Sequence, residues 1–141
     1  YACNAVAEGT FQFVIEKPER GSPDLMSQPC IIRNMAWKLV VRPWYEDEEH
    51  LGLFLENEVS PQSESWSCKV KWTFRLLKVD THGKFEWPAE FEKTFNSAAS
   101  AWGHPYFIAM TDLLDPNNGY LKDDKLTFEV HIVADAPEGT W

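Results

Sequence analysis

The side chains that could supply a nucleophile or bind a metal are three cysteines and four histidines. A hydrolase needs its nucleophile beside a base in a recognisable context, such as GxSxG or the box around a papain-like cysteine, and neither context occurs. The histidines also lack a second ligand at the spacing of a zinc site. We therefore predict no catalytic residue, no metal and no cofactor for these positions, which are Cys3, Cys30, Cys68, His50, His82, His104 and His131.

The acidic run at residues 46–49 is a further candidate for chemistry, because carboxylates bind calcium. The run lacks the alternating oxygen ligands and the mid-loop glycine of a dedicated calcium site. Glycines are dispersed along the chain and form no phosphate-binding loop. We interpret the acidic run as a solvated loop, and we predict that this chain is not an enzyme.

A Trp-Gly step, Trp102-Gly103, follows the polar stretch at residues 96–100. Two interpretations are open. Trp102 can be one more core aromatic in a chain with seven tryptophans. Alternatively, Gly103 allows another backbone to approach closely, and Trp102 beside it provides a flat apolar wall. That combination suits an edge strand that accepts an extended peptide, and the residue types alone do not choose between the two.

The charge balance excludes two classes of partner. Acidic residues number 22 against 13 basic ones, which gives a formal net charge of −9. Phosphate backbones and anionic lipid surfaces attract basic proteins, so we predict neither nucleic acid nor membrane as a partner. No membrane span or secretion signal is visible, and an odd number of widely spaced cysteines favours a reducing compartment. We therefore expect an intracellular protein.

Alternation of apolar and polar residues with period two dominates the chain and predicts strands. It is clearest at residues 68–76, where Cys68 and every second residue after it are apolar and face the core. In the last predicted strand the same alternation turns His131 outward. The predicted strands cover residues 11–15, 37–41, 51–55, 68–76, 84–87 and 126–132.

Helical periodicity is scarce. One short helix is expected at residues 111–114, with Thr111 as its N-cap and Pro116 ending it. Without crossover helices between the strands, the parallel architectures are excluded. The sequence therefore predicts an all-β antiparallel sandwich or barrel.

Several motifs, in order and in spacing, resemble the MATH (meprin and TRAF homology) domain family. They lie at residues 30–39, 63–68, 102–103, 115–121, 123–130 and 134–137. The resemblance covers residues 10–141, which we take as one domain, with residues 1–9 as a flexible N-terminal extension. The closing Ala-Asp-Ala-Pro stretch is most similar to the MATH domains of ubiquitin-specific proteases.

This resemblance implies an eight-stranded antiparallel β-sandwich that is not catalytic and that binds short extended peptides in a shallow groove. The peptides carry Pro or Ala, two variable residues and Ser, and they belong to proteins recruited to a deubiquitinase whose cysteine-protease domain lies elsewhere. By position, the family's peptide-binding residues fall on Trp102 and Gly103, on Arg33 within its Arg-Asn-x-x-Trp-Lys context, and on Phe54, which lines the groove. The resemblance also implies a nuclear location.

Two positions depart from the family pattern. Ala101 stands where the family has an aspartate, and His104 stands where an aromatic residue usually follows Trp-Gly. Losing the carboxylate removes a charge-assisted acceptor that contributes about 1.5–3 kcal/mol. We therefore predict weaker binding of serine-ended peptides or a shifted preference, with His104 as a replacement polar contact.

An oligomerising scaffold, like the trimeric TRAF proteins, is the alternative function. In those proteins the sandwich follows a coiled coil, and no heptad run precedes Phe11 in this chain. We expect a monomer for the isolated domain. Sedimentation of the chain would separate the two hypotheses.

Overall fold

The computed structural model describes residues 7–45, 49–58, 66–78, 84–86 and 90–138. They form ten strands, one α-helix and one 3₁₀ helix. In chain order the elements are β1 (Glu8–Glu16), β2 (Leu25–Met26), β3 (Cys30–Ile32), β4 (Met35–Tyr45), β5 (His50–Glu58), β6 (Ser67–Leu77), β7 (Lys84–Glu86), β8 (Phe91–Asn96), β9 (Ala101–Ala109), α1 (Met110–Leu113), the 3₁₀ helix (Pro116–Asn118) and β10 (Lys125–Ala134).

The strands make two five-stranded antiparallel sheets. Sheet 1 has the order β1, β10, β6, and both β7 and β8 pair with the far side of β6. Sheet 2 has the order β4, β5, β9, and both β2 and β3 pair with the outer side of β4. Within the described residues, β1 and β9 are therefore edge strands on opposite sides of the sandwich.

The two sheets pack face to face through aromatic side chains. Trp37 of sheet 2 meets Phe95 of sheet 1 edge to face, with ring centroids 5.1 Å apart. Phe74 of sheet 1 meets Phe107 of β9 in the same way at 5.9 Å. Such edge-to-face pairs add about 0.5–1.5 kcal/mol each to the burial of apolar area. Together they hold β9 and β4 against the opposite sheet.

The predicted class, an all-β antiparallel sandwich with one short helix, is confirmed. Cys68 lies in the core and His131 lies on the outward face of β10, as their alternation predicts. The described residues form ten strand segments and not eight because the outer edge of each sheet is divided in two, into β2 and β3 along β4 and into β7 and β8 along β6. Ser27 lies between β2 and β3, and its hydroxyl accepts a hydrogen bond from the Leu39 N–H at 2.9 Å.

The predicted start of the helix is wrong. Helix α1 begins at Met110, its N-cap is Ala109, and Thr111 lies inside the first turn without capping it. A side-chain cap is not needed there, because the Met110 N–H donates to the Glu49 carbonyl at 2.8 Å and so continues the ladder between β5 and β9. The helix ends at Leu113, and Pro116 opens the 3₁₀ helix.

Strand β1 begins at Glu8, two residues before the start predicted for the domain. Residues 1–6 of the expected extension lie outside the described residues, as do Cys3, His82 and residues 46–48 of the acidic run. In the part of the chain that is described, no helix is long and apolar enough to cross a membrane.

Candidate functional site

The open edge of β9 begins at the Trp-Gly step. The Asn57 N–H donates to the Ser100 carbonyl at 2.8 Å, so Asn57 and Ser100 form a hydrogen-bonded pair. This fixes which of the following pairs between β5 and β9 are hydrogen-bonded, which is the phase of the ladder. Hydrogen-bonded and non-hydrogen-bonded pairs alternate in an antiparallel ladder, so Trp102 and His104 direct their backbone groups towards β5. Ala101 and Gly103 therefore direct their N–H and C=O groups towards the open edge.

The open ladder is short. Pro105 has no N–H to donate, and the register between β5 and β9 shifts between Leu51 and Leu53. This irregularity bends β9 beyond His104 and interrupts its pairing. An added strand would therefore find regular backbone partners only near Ala101 and Gly103.

Gly103 lets β9 lie unusually close to β5. A Cβ atom at this position would be 2.2 Å from the Leu53 carbonyl oxygen and 2.6 Å from the Phe54 Cα. Both are backbone atoms, so they cannot move aside as the end of a side chain can. The close-approach role predicted for Gly103 is thus realised against the neighbouring strand β5, which leaves no side chain between the open edge and Phe54.

Phe54 lies on the outward face of sheet 2, directly opposite Gly103. The Arg42 guanidinium lies 4.8 Å from the Phe54 ring centroid and 5.0 Å from that of Tyr45. The two rings themselves meet edge to face at 5.7 Å. Arg42 also donates to the Tyr45 hydroxyl at 3.0 Å and pairs with Asp24 at 3.2 Å, so the Phe54 ring is held in one orientation.

Trp102 lies on the inward face of β9, opposite the buried Leu55. Its ring packs against the core, and the Lys93 ammonium of the other sheet lies 4.7 Å from the ring centroid. Its indole nitrogen is buried without a hydrogen-bond partner. The tryptophan therefore packs between β9 and the core, which agrees with the interpretation of Trp102 as a core aromatic. A contact between Trp102 and a peptide stays a prediction.

Ala101 is exposed on the outward face, and Glu56 lies directly opposite it on β5. This is a non-hydrogen-bonded pair, in which side chains approach most closely. The Glu56 carboxylate is 3.7 Å from the Lys38 ammonium, which also contacts Glu58 at 3.0 Å. A carboxylate is thus present next to Ala101, although it comes from the neighbouring strand.

His104 stabilises the irregular part of β9. Its Nδ1 accepts a hydrogen bond from the Tyr106 N–H at 3.0 Å, so the neutral imidazole carries its proton on Nε2. Burial lowers the pKa of His104 below its usual range, and the nearby His50 lowers it further. His50 and His104 both meet the ring of Tyr106, at 5.3 and 6.3 Å between centroids.

We expect the stability of the fold to depend on the protonation of His104. Because the pKa is lower in the folded chain than in the unfolded chain, the stabilisation is present above the unfolded value of about 6.5 and is lost as pH falls through the folded pKa. His104→Asn keeps an acceptor for the Tyr106 N–H and should flatten this dependence, whereas His104→Ala should lower stability at every pH. Urea unfolding between pH 5 and pH 8 checks both, and an unchanged pH slope in His104→Asn would contradict the assignment.

Arg33 is not held next to β9. It lies in the turn between β3 and β4, where Arg33 and Asn34 both have positive φ, and its Nε donates to the Ala134 carbonyl of sheet 1 at 3.0 Å. The sequence resemblance placed Arg33 and Phe54 in one groove. The structure brings Phe54 and Gly103 together, while a role for Arg33 in peptide binding stays a prediction.

The described thiols are poorly suited to nucleophilic attack. Burial raises the pKa of Cys68 to about 11, and burial also raises the pKa of Cys30. Both therefore stay protonated near neutral pH. No group of three or more His, Cys, Asp or Glu side chains that could hold a metal occurs among the residues the structure describes.

The sequence identifies only some of the residues at this site. Trp102, Gly103 and Phe54 were found from the Trp-Gly step and the family pattern, but Arg42 and Glu56 were missed. Alternation along β4 and β5 places both on the outward face, yet only the register shows that Glu56 faces Ala101 and that Arg42 lies over Phe54.

The fold is an antiparallel sandwich with a short open edge beside the ring of Phe54, and exposed sheet edges are places where an extended peptide can be added. Residues 10–132, most of the chain, match the family model of the MATH domain, and the chain belongs to the MATH domain family. Ubiquitin carboxyl-terminal hydrolase 7 of Drosophila melanogaster is 30% identical over 133 residues, which are 94% of this chain and 12% of that protein.

Two plant proteins are more distant relatives. Ubiquitin C-terminal hydrolase 12 of Arabidopsis thaliana is 22% identical over 107 residues, which cover 75% of this chain and 10% of that protein. Ubiquitin C-terminal hydrolase 13 of the same plant is 21% identical over the same shares. The chain therefore spans only a small part of the length of the curated relatives it matches.

Proposed function

We propose that this chain binds short extended segments of substrate or regulatory proteins on the edge of β9 and recruits them to a ubiquitin-specific protease of which it is a part. The observation that carries the proposal is the open backbone of Ala101 and Gly103 beside the fixed ring of Phe54. Membership of the MATH family and the relatives named as ubiquitin hydrolases support it. Catalysis then belongs to another part of the same protein.

The length of the open ladder favours a motif of about four residues. Ala101 and Gly103 each offer one N–H and one C=O, so an added strand gains at most four backbone hydrogen bonds before Pro105 interrupts the ladder. Four residues is the length of the Pro/Ala-x-x-Ser motif that the family resemblance implies. A small residue such as Pro or Ala would lie over Gly103 and against the Phe54 ring.

Glu56 is the acceptor that we propose for the serine of the motif. Its carboxylate lies across the ladder from Ala101, the position that carries the aspartate in the family pattern. A hydrogen bond from a hydroxyl to a carboxylate contributes about 1.5–3 kcal/mol. The missing aspartate therefore need not remove the preference for serine.

A tetrapeptide covers little area, so we expect a dissociation constant of around 1 μM, about −8 kcal/mol, or weaker. Binding of this strength is useful when the same partner is also held by a catalytic domain, because linkage raises the effective concentration. The same resemblance supports an intracellular, nuclear location for the whole protein.

Titration calorimetry with a Pro-Ala-x-Ser peptide and its Ser→Ala analogue tests the proposal. We expect Glu56→Gln to lower the affinity for the serine peptide about tenfold and to leave the affinity for the analogue unchanged. Only the serine hydroxyl donates to the carboxylate. The double variant Glu56→Gln/Ala101→Asp should recover the preference. An equal effect of Glu56→Gln on both peptides would reject Glu56 as the serine acceptor, and no binding by the native chain would reject the peptide site.

A further inference from the structure

Among the described residues, β1 is another open edge of the sandwich, on the side opposite β9. Its ladder with β10 runs without a register shift from the pair Glu8 and Val133 to the pair Glu16 and Lys125. Strand β1 contains neither proline nor bulge, whereas β9 contains both. Long regular edges with unpaired backbone groups are the ones that accept further strands.

The phase of the ladder identifies the open backbone groups of β1. The Ala134 N–H donates to the Ala7 carbonyl at 2.8 Å, and the Lys17 N–H donates to the Asp124 carbonyl at 2.7 Å. Odd-numbered residues of β1 therefore direct their backbone groups towards β10. Glu8, Thr10, Gln12, Val14 and Glu16 direct theirs towards the open edge, which offers five residues where the ladder of β9 offers two, Ala101 and Gly103.

An apolar groove lies along this edge. Two adjoining cavities of ≈ 520 and ≈ 400 Å³ separate β1 from the segment at residues 22–30. Phe11 and Phe13 line them from β1, and Leu25 and Met26 line them from the other side. Val14 and Met26 are 54% and 52% exposed, although large apolar side chains are usually covered. The groove thus offers volume and apolar contacts for the alternate side chains of an added strand.

Charge at the edge decides which kind of chain fits. Glu8 and Glu16 are exposed at the two ends of β1, where the Glu8 carboxylate lies 3.2 Å from His131 Nε2 and Glu16 lies opposite Lys125 of β10. The side chains between them on the outward face, Thr10, Gln12 and Val14, are uncharged. The whole chain carries a formal net charge of −9, so a second copy would be repelled. A segment with basic ends and an apolar inward face complements this edge.

We propose that β1 is a second strand-addition site, which binds an extended segment of another protein that is apolar at alternate positions and carries Lys or Arg at both ends. The added strand hydrogen-bonds to Thr10, Gln12 and Val14 and places its apolar side chains in the groove beside Phe11 and Phe13. This site is independent of the function proposed for β9. One domain could then hold two segments of a partner, or two partners, on opposite edges.

Titration of the ¹⁵N-labelled chain with a capped nine-residue probe tests the proposal. The probe alternates Thr and Val and has Lys at both ends, and a matched probe has Glu at both ends. We expect the Lys-ended probe to shift the amide signals of Thr10, Gln12 and Val14 and to bind at least tenfold more tightly than the Glu-ended probe. Shifts confined to β9, or equal affinity for the two probes, would overturn the proposal.

Variants on the open side of β1 give the decisive comparison. Gln12→Pro removes an N–H that points to the open edge and no backbone bond to β10, and the exposed side-chain bond from Gln12 Nε2 to Glu129 at 3.3 Å is lost equally in Gln12→Ala. Compared with Gln12→Ala, it should therefore leave the melting temperature nearly unchanged and reduce probe affinity at least tenfold. Gln12→Ala, the matched control, should bind as the native chain does. Glu8→Lys/Glu16→Lys should reverse the preference between the two probes.

Two further outcomes would also overturn the proposal. Tighter probe binding after deletion of residues 1–6 would mean that the chain's own N-terminus occupies the edge. Self-association that is lost in Gln12→Pro would mean that the edge pairs two copies of the chain. If the β9 peptides fail to bind, the prediction for β1 is unaffected, because the amide signals of β1 and those of β9 are observed separately.

Discussion

Replacing Gly103 by alanine is expected to destabilise the fold by about 2–3 kcal/mol and to abolish peptide binding on β9. The new Cβ would lie 2.2 Å from the Leu53 carbonyl oxygen and 2.6 Å from the Phe54 Cα, so β9 must move away from β5. Overpacking of this kind typically costs about 1–3 kcal/mol. Moving β9 also displaces the open backbone groups from the Phe54 ring. Urea unfolding and calorimetric titration measure the two effects.

Gly9→Ala provides the matched control, because Gly9 also lies in an edge strand. A Cβ there would meet only the Ile32 side chain, with Cδ1 at 3.3 Å and Cγ1 at 3.7 Å, so a displacement of a few tenths of an ångström relieves the contact and no backbone atom has to move. We expect a change within about 0.5 kcal/mol and normal binding on β9. Equal destabilisation by the two alanines would contradict the close approach of β9 to β5.

Replacing Phe54 by alanine is expected to weaken peptide binding more than tenfold while leaving the chain folded. The ring is the only large apolar surface next to the open backbone of Gly103 on the outward face of the described part of β5. Its loss also frees Arg42, whose guanidinium lies 4.8 Å from the ring centroid, to pair with Asp24 in other orientations. Calorimetric titration with the Pro-Ala-x-Ser peptide measures the loss.

Phe11→Ala is the control for Phe54→Ala, because Phe11 is also a partly buried aromatic, on the opposite edge. Both variants should lose a similar part of the free energy of unfolding, less than the about 3–5 kcal/mol typical of a fully buried phenylalanine, because both rings are only partly buried. Only Phe54→Ala should lose affinity for the β9 peptide. A comparable loss in Phe11→Ala would mean that binding reports general stability and that Phe54 has no particular role.

The sandwich could be predicted because strand periodicity is local. In β6 each second residue from Cys68 is apolar, and the structure buries that face. Strand β8 was not predicted because apolar and polar residues alternate only weakly along it. Of its six residues only Phe95 is buried, while Glu92, Lys93 and Thr94 are exposed. Tertiary pairing with β6 forms this strand.

The site could be predicted only in part, because its geometry depends on register. The Trp-Gly step and the family pattern identified Gly103 and Phe54, but whether Trp102 points inward or outward depends on its pairing with Leu55. The Glu56 carboxylate beside Ala101 also follows from pairing across strands. Contacts between residues distant in sequence leave no local signal.

Amide hydrogen exchange of the chain saturated with the Pro-Ala-x-Ser peptide is the most direct test of strand addition on β9. The Trp102 and His104 amides already point towards β5, so their exchange should change little. The amides of Ala101 and Gly103 should become strongly protected, because they gain hydrogen bonds to the added strand. Peptide binding without protection of these two amides would contradict the account.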